Sequence, residues 1–390
     1  MKRLAFKIWI LILITSGSLF AQKKTVYSEV FSADTNTTVI LNFENTTVAI
    51  DESTDGKIHM NYTIEFNNYS KKDVQRFIDD INVEANMYDN TLMLKATSLA
   101  NVSEIAYELE APLGLTFADD VFSVFSETTN DTIHRKSKDS LISEISGQKV
   151  KQAIFKSLKL LSKNGEKKDI DFKKVKMYKS KFVIKLPAYV KVKIIGKQAQ
   201  ISLLKDMTNE ISLNLKQGSF QGQYLSNTYN RFMVKQADFK VKGLSGGNYT
   251  FDNITGGIIG SVQNAEITSE FAKIEIGEIQ DQVTITDFNG EYWFYNWSKN
   301  FNRFDLFSEY SKIHFFYPEH YDFSLKVVGN NTVNQFENIA VTMQPTKTDQ
   351  KFNMMERKAQ GVGHFSGAIN FDLVRGILFT HNDTFTKPKP

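Results

Sequence analysis

The C-terminal half of the chain repeats one pattern of alternating apolar and polar residues about every nineteen residues, and this repeat restricts the possible folds most strongly. The first apolar positions of the repeats are Ile211, Phe232, Tyr249, Ile267, Val283, Phe304 and Phe323. Two residues later stand Leu213, Val234, Phe251, Ser269, Ile285, Leu306 and Leu325. The positions between the two columns are mostly small or polar. Because successive side chains of a strand point to opposite faces, both columns are expected to face a core.

A second short strand pattern follows the first within the repeats. Its strands begin at Phe220, Phe239, Ile258, Ile274, Tyr292 and Ile313. Two strands per repeat, separated by loops of variable length, are typical of a chain that coils into stacked rungs. We therefore expect a mainly β protein in which residues 182–345 form a right-handed β-solenoid, or β-helix-like module, of about seven rungs. An antiparallel β-sandwich would produce a similar alternation and remains the alternative.

Two segments carry a resemblance to known proteins. Residues 182–195 read FVIKLPAYVKVKII, and residues 243–268 read GLSGGNYTFDNITGGIIGSVQNAEIT. A strand containing Leu-Pro that precedes glycine-punctuated repeats resembles the exported adhesin-like families that include the auto-transporter adhesin head GIN domain. The resemblance implies a β-solenoid in the cell envelope and brings no catalytic residues with it. Residues 292–321 depart from those families, because they hold few glycines and many aromatic residues.

Residues 1–21 have the composition of a secretory signal peptide. Lys2, Arg3 and Lys7 precede an apolar run that ends at Ile14, and small residues lead on to Ala21. The apolar run is much shorter than the roughly 20 residues of a membrane-spanning helix. We expect an exported protein, periplasmic or secreted to the cell surface, with no transmembrane segment in the mature chain.

Residues 22–118 predict a small, strand-rich α+β module. Alternating runs flank turns at Asp55–Gly56 and at Asp89–Asn90, as expected of β-hairpins. Between them Ser70 and Asp73 have the spacing of a helix N-cap and its third residue. The helix is expected to bury Val74 and its neighbours at helical spacing.

Residues 119–181 predict a polar, lysine-rich insertion. From Arg135 to Lys181 there are fifteen Lys or Arg and five Asp or Glu. Residues 149–163, KVKQAIFKSLKLLSK, fit an amphipathic helix with a basic face. The candidate contacts to an anionic surface, such as phosphorylated lipid, are Lys149, Lys151, Lys156, Lys159 and Lys163. The alternative is a solvated insertion whose apolar stripe packs on its own domain.

The segment EYWFYNW at residues 291–297 has no polar face. The alternation places Trp293 and Tyr295 outward, with His314 and Phe316 beside them on the next rung. These four residues are the candidate contacts for a ligand or partner, because exposed aromatic side chains suit sugars and apolar protein surfaces. Alternatively, residues 346–390 form a C-terminal hairpin and tail that folds back over this patch.

Several kinds of chemistry have no support in the sequence. The chain contains no cysteine, which excludes disulfides and thiolate metal sites. The histidines form no HExxH motif, His314 and His320 have no third metal ligand nearby, and no phosphate-binding loop precedes a helix. We expect no cofactor, no metal and no catalytic residues. Nucleic acid is not expected either, because the basic block lacks interleaved aromatics.

We therefore expect a noncatalytic, exported cell-envelope protein: an adhesin-like binding or interaction module that uses a solenoid face. Its partner would be an envelope protein or a surface glycan. The alternative is a polysaccharide-modifying enzyme on a β-helix scaffold, which requires clustered carboxylates on one face. The outward column assigned to the second strands shows no acidic pair; it reads Gln221, Lys240, Ile259, Glu275, Trp293 and His314.

Overall fold

The computed structural model describes residues 22–102, 105–111, 114–117, 176–299, 301–316, 323–330, 332–336, 342–345, 351–358 and 367–381. The predicted signal peptide and the predicted basic helix at 149–163 lie outside these residues. The described part is mainly β, which confirms the expected fold class at this level, and its strands join in one mixed sheet. Within it, no helix is long and apolar enough to cross a membrane.

The elements before residue 118 are six longer strands, one helix and a short strand. They are β1 (Gln22–Ser32), β2 (Thr38–Glu52), β3 (Lys57–Asn67), α1 (Lys71–Asp79), β4 (Ile81–Tyr88), β5 (Thr91–Val102), β6 (Ile105–Ala111) and β7 (Gly114–Phe117).

The elements after residue 175 are all strands in the part of the chain that the structure describes. The longer, earlier ones are β8 (Lys176–Leu186), β9 (Lys191–Leu203), β10 (Ile211–Leu225) and β11 (Arg231–Ser245). The shorter ones that follow are β12 (Asn248–Asp252), β13 (Gly257–Gln263), β14 (Ala265–Glu270), β15 (Lys273–Ile279), β16 (Val283–Phe288), β17 (Glu291–Trp297), β18 (Arg303–Glu309) and β19 (Lys312–Phe316). The last are β20 (Phe323–Asn330), β21 (Val333–Phe336), β22 (Thr342–Pro345), β23 (Lys351–Lys358), β24 (Gly367–Val374) and β25 (Ile377–His381).

The chain divides into two units. The described residues of the smaller unit are 22–26, 63–79, 105–111, 114–117 and 176–181, and the larger unit holds the others. In the smaller unit the predicted helix cap is confirmed: the Asp73 backbone N–H donates to Ser70 Oγ at 3.1 Å, and Ser70 Oγ donates to the Asp73 carboxylate at 2.8 Å. On the helix's apolar side Phe77 packs against Tyr178, with ring centroids 4.7 Å apart.

Most strands of the larger unit form a stack with parallel pairing, and the pairs β4–β5, β20–β23 and β22–β23 are antiparallel. β9, β10 and β11 pair in parallel, and each is long enough to form both strand positions of a rung. From β12 onward the two positions are separate strands, so β12, β14, β16 and β18 stack on one another and β13, β15, β17 and β19 do the same. These pairings are parallel, so the antiparallel sandwich alternative is wrong.

The predicted inward faces are confirmed, but the predicted register needs correction. Ile285 is fully buried, as expected, while Thr284 is half-buried on the other face. Leu213, however, lies opposite Phe232 rather than opposite Val234, and Ile285 lies opposite Ile267 rather than opposite Ser269. The predicted columns are therefore off by two residues between β10 and β11 and again between β14 and β16. In β13 the prediction of the inward face was wrong, because Ile258 is exposed and Ile259 is buried.

A glycine explains the error in β13. Gly257 holds the inward position opposite Phe239 and Ile274. A Cβ at Gly257 would lie 2.9 Å from Ile274 Cγ1, so the core leaves no room for a larger residue there. Because the inward position of this rung holds a glycine, the next large apolar residue, Ile258, was predicted to face the core although it faces solvent.

Residues assigned to the front module also build rungs. β2 pairs in parallel with β9 on one side and with β5 on the other, and Leu41 lies opposite both Ile194 and Leu94. β4 then pairs with β5 in an antiparallel hairpin, as predicted, across Asp89 with φ of 49°. The rung stack thus begins before residue 182.

The C-terminal strands are a rung, not a covering hairpin. β24 pairs in parallel with β18 and also with β20, so that Ile369 lies between Phe304 and Leu325. β25 likewise pairs with β19 and β21. The predicted hairpin is therefore inserted between two rungs that the sequence places next to each other, and it lengthens the predicted aromatic patch instead of covering it.

Candidate functional site

The predicted contact residues Trp293 and His314 belong to a ladder of stacked rings on the second-strand face. Trp293, His314 and Phe379 lie in register on β17, β19 and β25. The ring centroids of Trp293 and His314 are 4.9 Å apart, and those of His314 and Phe379 are 4.6 Å apart. The ring planes are within 7° of parallel. We call these three residues the outer ladder.

The other two predicted contact residues lie in a neighbouring ladder. Tyr295, Phe316 and His381 are also one rung apart, with successive ring centroids separated by 4.9 Å and 4.8 Å. Phe316 and His381 are buried, whereas Tyr295 is half-buried. The Tyr295 hydroxyl donates to Glu275 Oε2 at 3.0 Å, and burial, followed by the charge of Glu275, raises the pKa of Tyr295.

The stacking determines which parts of the outer-ladder rings can contact a ligand or a partner. Both faces of the His314 ring are covered, one by Trp293 and the other by Phe379. Sugar rings bind aromatic side chains through the aromatic face, and a ring that is stacked on both sides offers mainly its edge. The outer ladder is therefore better suited to packing against a partner's apolar surface than to stacking a sugar.

The two ladders meet at a histidine pair. His314 Nδ1 lies 3.2 Å from His381 Nε2, and His314 Nε2 lies 3.5 Å from Glu291 Oε1. Burial, and then the charge that His381 carries when protonated, lower the pKa of His314; Glu291 acts in the opposite direction. Among the described residues no group of three or more His, Asp or Glu is arranged to hold a metal ion.

A groove of about 590 Å³ lies on the first-strand face of the same rungs. It is open to solvent and crosses β12, β14, β16, β18 and β24. Its residues are Thr250, Phe251, Asp252, Thr268, Ser269, Glu270, Thr286, Asp287, Phe288, Phe307, Ser308, Glu309, Asp372 and Val374.

Register arranges the outward residues of the groove in two rows. Thr250, Thr268 and Thr286 lie opposite one another on successive rungs, and all three are exposed. This hydroxyl row continues into Phe307, which is 48% exposed, and then into Asp372. The groove therefore offers one hydroxyl per rung, followed by an open aromatic ring.

The second row carries most of the groove's charge. Asp252 and Glu270 lie opposite each other, and the row continues through Phe288 to Glu309. We call Asp252, Glu270 and Glu309 the acidic edge. Lys235 Nζ lies 2.5 Å from Asp252 Oδ2, and this hydrogen bond, then the charge of Asp252, raise the pKa of Lys235.

An aromatic ridge borders the acidic edge at the corner where each rung turns. It comprises Phe271, Phe288 and Tyr310, which are 46%, 40% and 43% exposed. Their rings meet edge to face, with centroids 5.9 Å and 5.8 Å apart. An edge-to-face contact covers less of a ring face than the parallel stacking of the outer ladder does, and these three rings remain 40% to 46% exposed.

The residues beneath the groove form a buried hydrogen-bond network around Asp287. Ser269 Oγ donates to Asp287 Oδ1 at 2.5 Å, and Ser311 Oγ donates to Asp287 Oδ2 at 2.6 Å. The Gly290 backbone N–H adds a third donor at 3.0 Å, and the Tyr292 hydroxyl lies 2.6 Å from Ser269 Oγ. Burial raises the pKa of Asp287, although these donors oppose the shift.

Sequence reasoning did not identify the groove. The outward column predicted for the second strands holds no acidic pair, and Glu309 was interpreted with Asp305 as an isolated surface pair, whereas the acidic edge stands at the ends of the first strands. A signal was present, since Asp252, Glu270 and Glu309 recur at the spacing of the repeat. The basic candidates Lys149, Lys151, Lys156, Lys159 and Lys163 lie outside the described residues.

No protein-family model matches the chain, and no curated protein matches it. Two solved structures overlap 93% of the chain. One is a putative cell adhesion protein from Clostridium sporogenes, with 7% identity, 99% of that chain covered and a TM-score of 0.19. The other is a putative adhesin from Bacteroides fragilis, with 10% identity, 97% of that chain covered and a TM-score of 0.31. TM-scores this low carry no argument about function, which rests on the geometry of this chain.

Proposed function

We propose that the protein is a noncatalytic, exported cell-envelope protein that acts as an adhesin-like binding module. In this proposal the rungs form a right-handed β-solenoid, and one outward face binds an envelope protein or a surface glycan. Export to the periplasm or the cell surface follows from the predicted signal peptide at residues 1–21.

One observation carries the proposal: the aromatic ridge lies directly beside the groove. Phe271, Phe288 and Tyr310 expose 40% to 46% of their surface in adjacent positions on successive rungs. Exposing a row of large aromatic side chains to water is unfavourable, and such contiguous patches commonly mark interaction sites. Parallel rungs hold the row rigidly, so that little conformational entropy is lost on binding.

Two further contacts belong to the proposal. Trp293, Tyr295 and His314 would pack with their ring edges against an apolar partner surface, while the buried Phe316 packs against Tyr295. Lys149, Lys151, Lys156, Lys159 and Lys163 would hold the protein near an anionic lipid surface, because clustered lysines attract negative headgroups. Binding to anionic vesicles should then weaken steeply as salt rises toward 0.15 M, where the screening length is about 8 Å.

The test is to incubate the purified mature chain with a panel of envelope and dietary glycans and with envelope protein extracts. Retention without chemical change of the glycan is the expected result. Any retained protein should be identified and then shown to bind as a pure component. Release of sugar products, or no retention of either class, would contradict the proposal.

A polysaccharide-modifying enzyme is the second candidate, and the groove favours it in one respect. Glycoside chemistry uses two carboxyl groups, one of which is kept protonated by a raised pKa. Asp287 has a raised pKa, and Glu270 and Glu309 line the same groove. However, the Asp287 carboxylate already accepts three hydrogen bonds, and this arrangement is typical of a structural role. Product release that is lost in Asp287→Asn would establish the enzyme.

A further inference from the structure

We propose that the groove binds an uncharged glycan chain that lies along the stack, across successive rungs. This inference rests on the proposed binding function and adds the class of ligand and the residues that contact it. The groove, rather than either aromatic ladder, is the site. Its ligand is selected by spacing, by open aromatic rings and by charge.

The spacing of the hydroxyl row suits a polysaccharide. Adjacent parallel strands are about 4.8 Å apart, so Thr250, Thr268 and Thr286 repeat at that interval along the stack. One sugar unit of an extended polysaccharide has nearly the same length. Each sugar can therefore lie beside one threonine hydroxyl, and a hydroxyl both donates and accepts hydrogen bonds, as sugar hydroxyls require.

Aromatic rings stand at the end and along the side of the hydroxyl row. Phe307 follows Thr286 in the row, and Phe288 stands beside it on the aromatic ridge. A pyranose ring has an apolar face of C–H groups that packs on an aromatic face, while its hydroxyl groups extend toward polar neighbours. The hydroxyl row and the exposed rings therefore complement the two parts of a sugar.

The charge of the groove excludes anionic glycans. Among the residues that the structure describes, those lining the groove include Asp252, Glu270, Glu309 and Asp372, and no Lys or Arg. Two cationic side chains near the groove already have partners. Lys235 forms an ion pair with Asp252. Arg375 lies over the Tyr310 ring and donates a hydrogen bond to the Tyr310 hydroxyl. A uronate or sulfate placed here would face like charge, which disfavours binding.

The experiment measures the affinity of the mature chain for three soluble glycans by affinity gel electrophoresis. The glycans are a neutral β-glucan, alginate as the anionic glycan and a chitosan oligomer as the cationic one. We expect retardation by the neutral glucan that persists in 0.5 M salt, and none by alginate. Retardation by chitosan alone, abolished by salt, would show nonspecific charge attraction and would overturn the proposal. Preferential binding of alginate would overturn it as well.

Substitutions in the groove then test whether the groove is the binding site. Thr268→Val keeps the side-chain shape and removes one hydroxyl, and it should weaken neutral-glucan binding about five-fold, as expected for one hydrogen bond. Phe307→Ala, at an exposed position, should weaken binding about ten-fold. Thr208→Val, an exposed threonine in the loop after β9, is the matched control and should bind as the wild type does.

The outcomes separate this inference from the proposed function. If the neutral glucan binds but Thr268→Val and Phe307→Ala leave its affinity unchanged, the groove is not the site, although the binding function stands. If no glycan binds while a purified envelope protein does, the glycan inference fails and the binding function again stands. If neither a glycan nor a protein binds, both fail. Circular dichroism of each variant should match the wild type, since the altered side chains are exposed.

Discussion

Trp293 and His314 lie in register on neighbouring rungs, with ring centroids 4.9 Å apart and ring planes within 4° of parallel. Phe379 covers the other face of His314, although it is 65 residues further along the chain. The rung that carries Phe379 is therefore fixed to the stack by side-chain contacts as well as by backbone hydrogen bonds. This relationship makes the outer ladder a structural feature first and a contact surface second.

Replacing Trp293 should destabilise the fold. Trp293→Ala removes the stacked partner of His314 and uncovers the rung below, so we expect the free energy of unfolding to fall by about 1–3 kcal/mol. Trp293→Phe keeps a stacked ring and should cost less than half as much. Urea unfolding followed by circular dichroism measures both. A Trp293→Ala variant as stable as the wild type would show that the ladder contributes no stability.

Ile285 and Thr284 test the assignment of inner and outer faces. Ile285 is fully buried on β16, so Ile285→Ala should lower the free energy of unfolding by about 2–5 kcal/mol. Thr284, on the opposite face and half-buried, should cost less than about 1 kcal/mol as Thr284→Ala. Equal losses in urea unfolding would contradict the burial of one face only.

The alternation of residues was enough to predict which side chains are buried, because a period of two is a local property of a strand. Register is not local. Ile285 and Val283 both face inward, and the sequence could not decide which of them lies opposite Ile267, because the loops between repeats vary in length. At β13 the small residue Gly257 takes an inward place, so the pattern of large apolar residues indicated the wrong face.

The position of the C-terminal rung could not be predicted from the sequence for a different reason. The residues of β24 and β25 alternate as strands should, but alternation does not identify a strand's neighbours. Ile369 lies between Phe304 and Leu325, and both of those contacts are distant in sequence. The groove was missed for a related reason, since its rows are complete only when Phe307 is followed by Asp372 of β24.

Acidification should destabilise the protein through His314. Its pKa is lowered in the folded state, so between that pKa and the ordinary value near 6.5 the unfolded chain binds more protons. The protein therefore keeps its full free energy of unfolding above about pH 6.5 and loses stability as the pH falls below that value. The groups that face His314 are His381, Glu291 and Lys312, and a second proton on the histidine pair adds repulsion.

His314→Phe is the variant that checks this prediction. It keeps a ring between Trp293 and Phe379 but cannot be protonated. The free energy of unfolding, measured at intervals from about pH 7.5 to about pH 5, should depend less on pH in His314→Phe than in the wild type. Identical pH dependence in the two proteins would assign the effect to other groups.

Substitutions of Asp287 test whether its carboxylate has a structural or a catalytic role. Asp287→Asn can keep the network, because its amide can donate to Ser269 Oγ while its oxygen still accepts from Ser311 Oγ and the Gly290 N–H. We expect it to change the free energy of unfolding by less than about 1.5 kcal/mol at neutral pH. Asp287→Ala leaves those buried donors without an acceptor and should cost about 2–4 kcal/mol.

The pH dependence of the same variant has a definite sign. Burial raises the Asp287 pKa above its ordinary value near 3.8, so the folded protein binds more protons than the unfolded chain between the two values. The contribution of Asp287 to stability is therefore complete below about pH 3.8 and is lost as the pH rises through the folded-state pKa. Asp287→Asn should remove this acid-side gain in urea unfolding while it retains glycan binding. Loss of binding without loss of stability would instead place Asp287 in contact with the ligand.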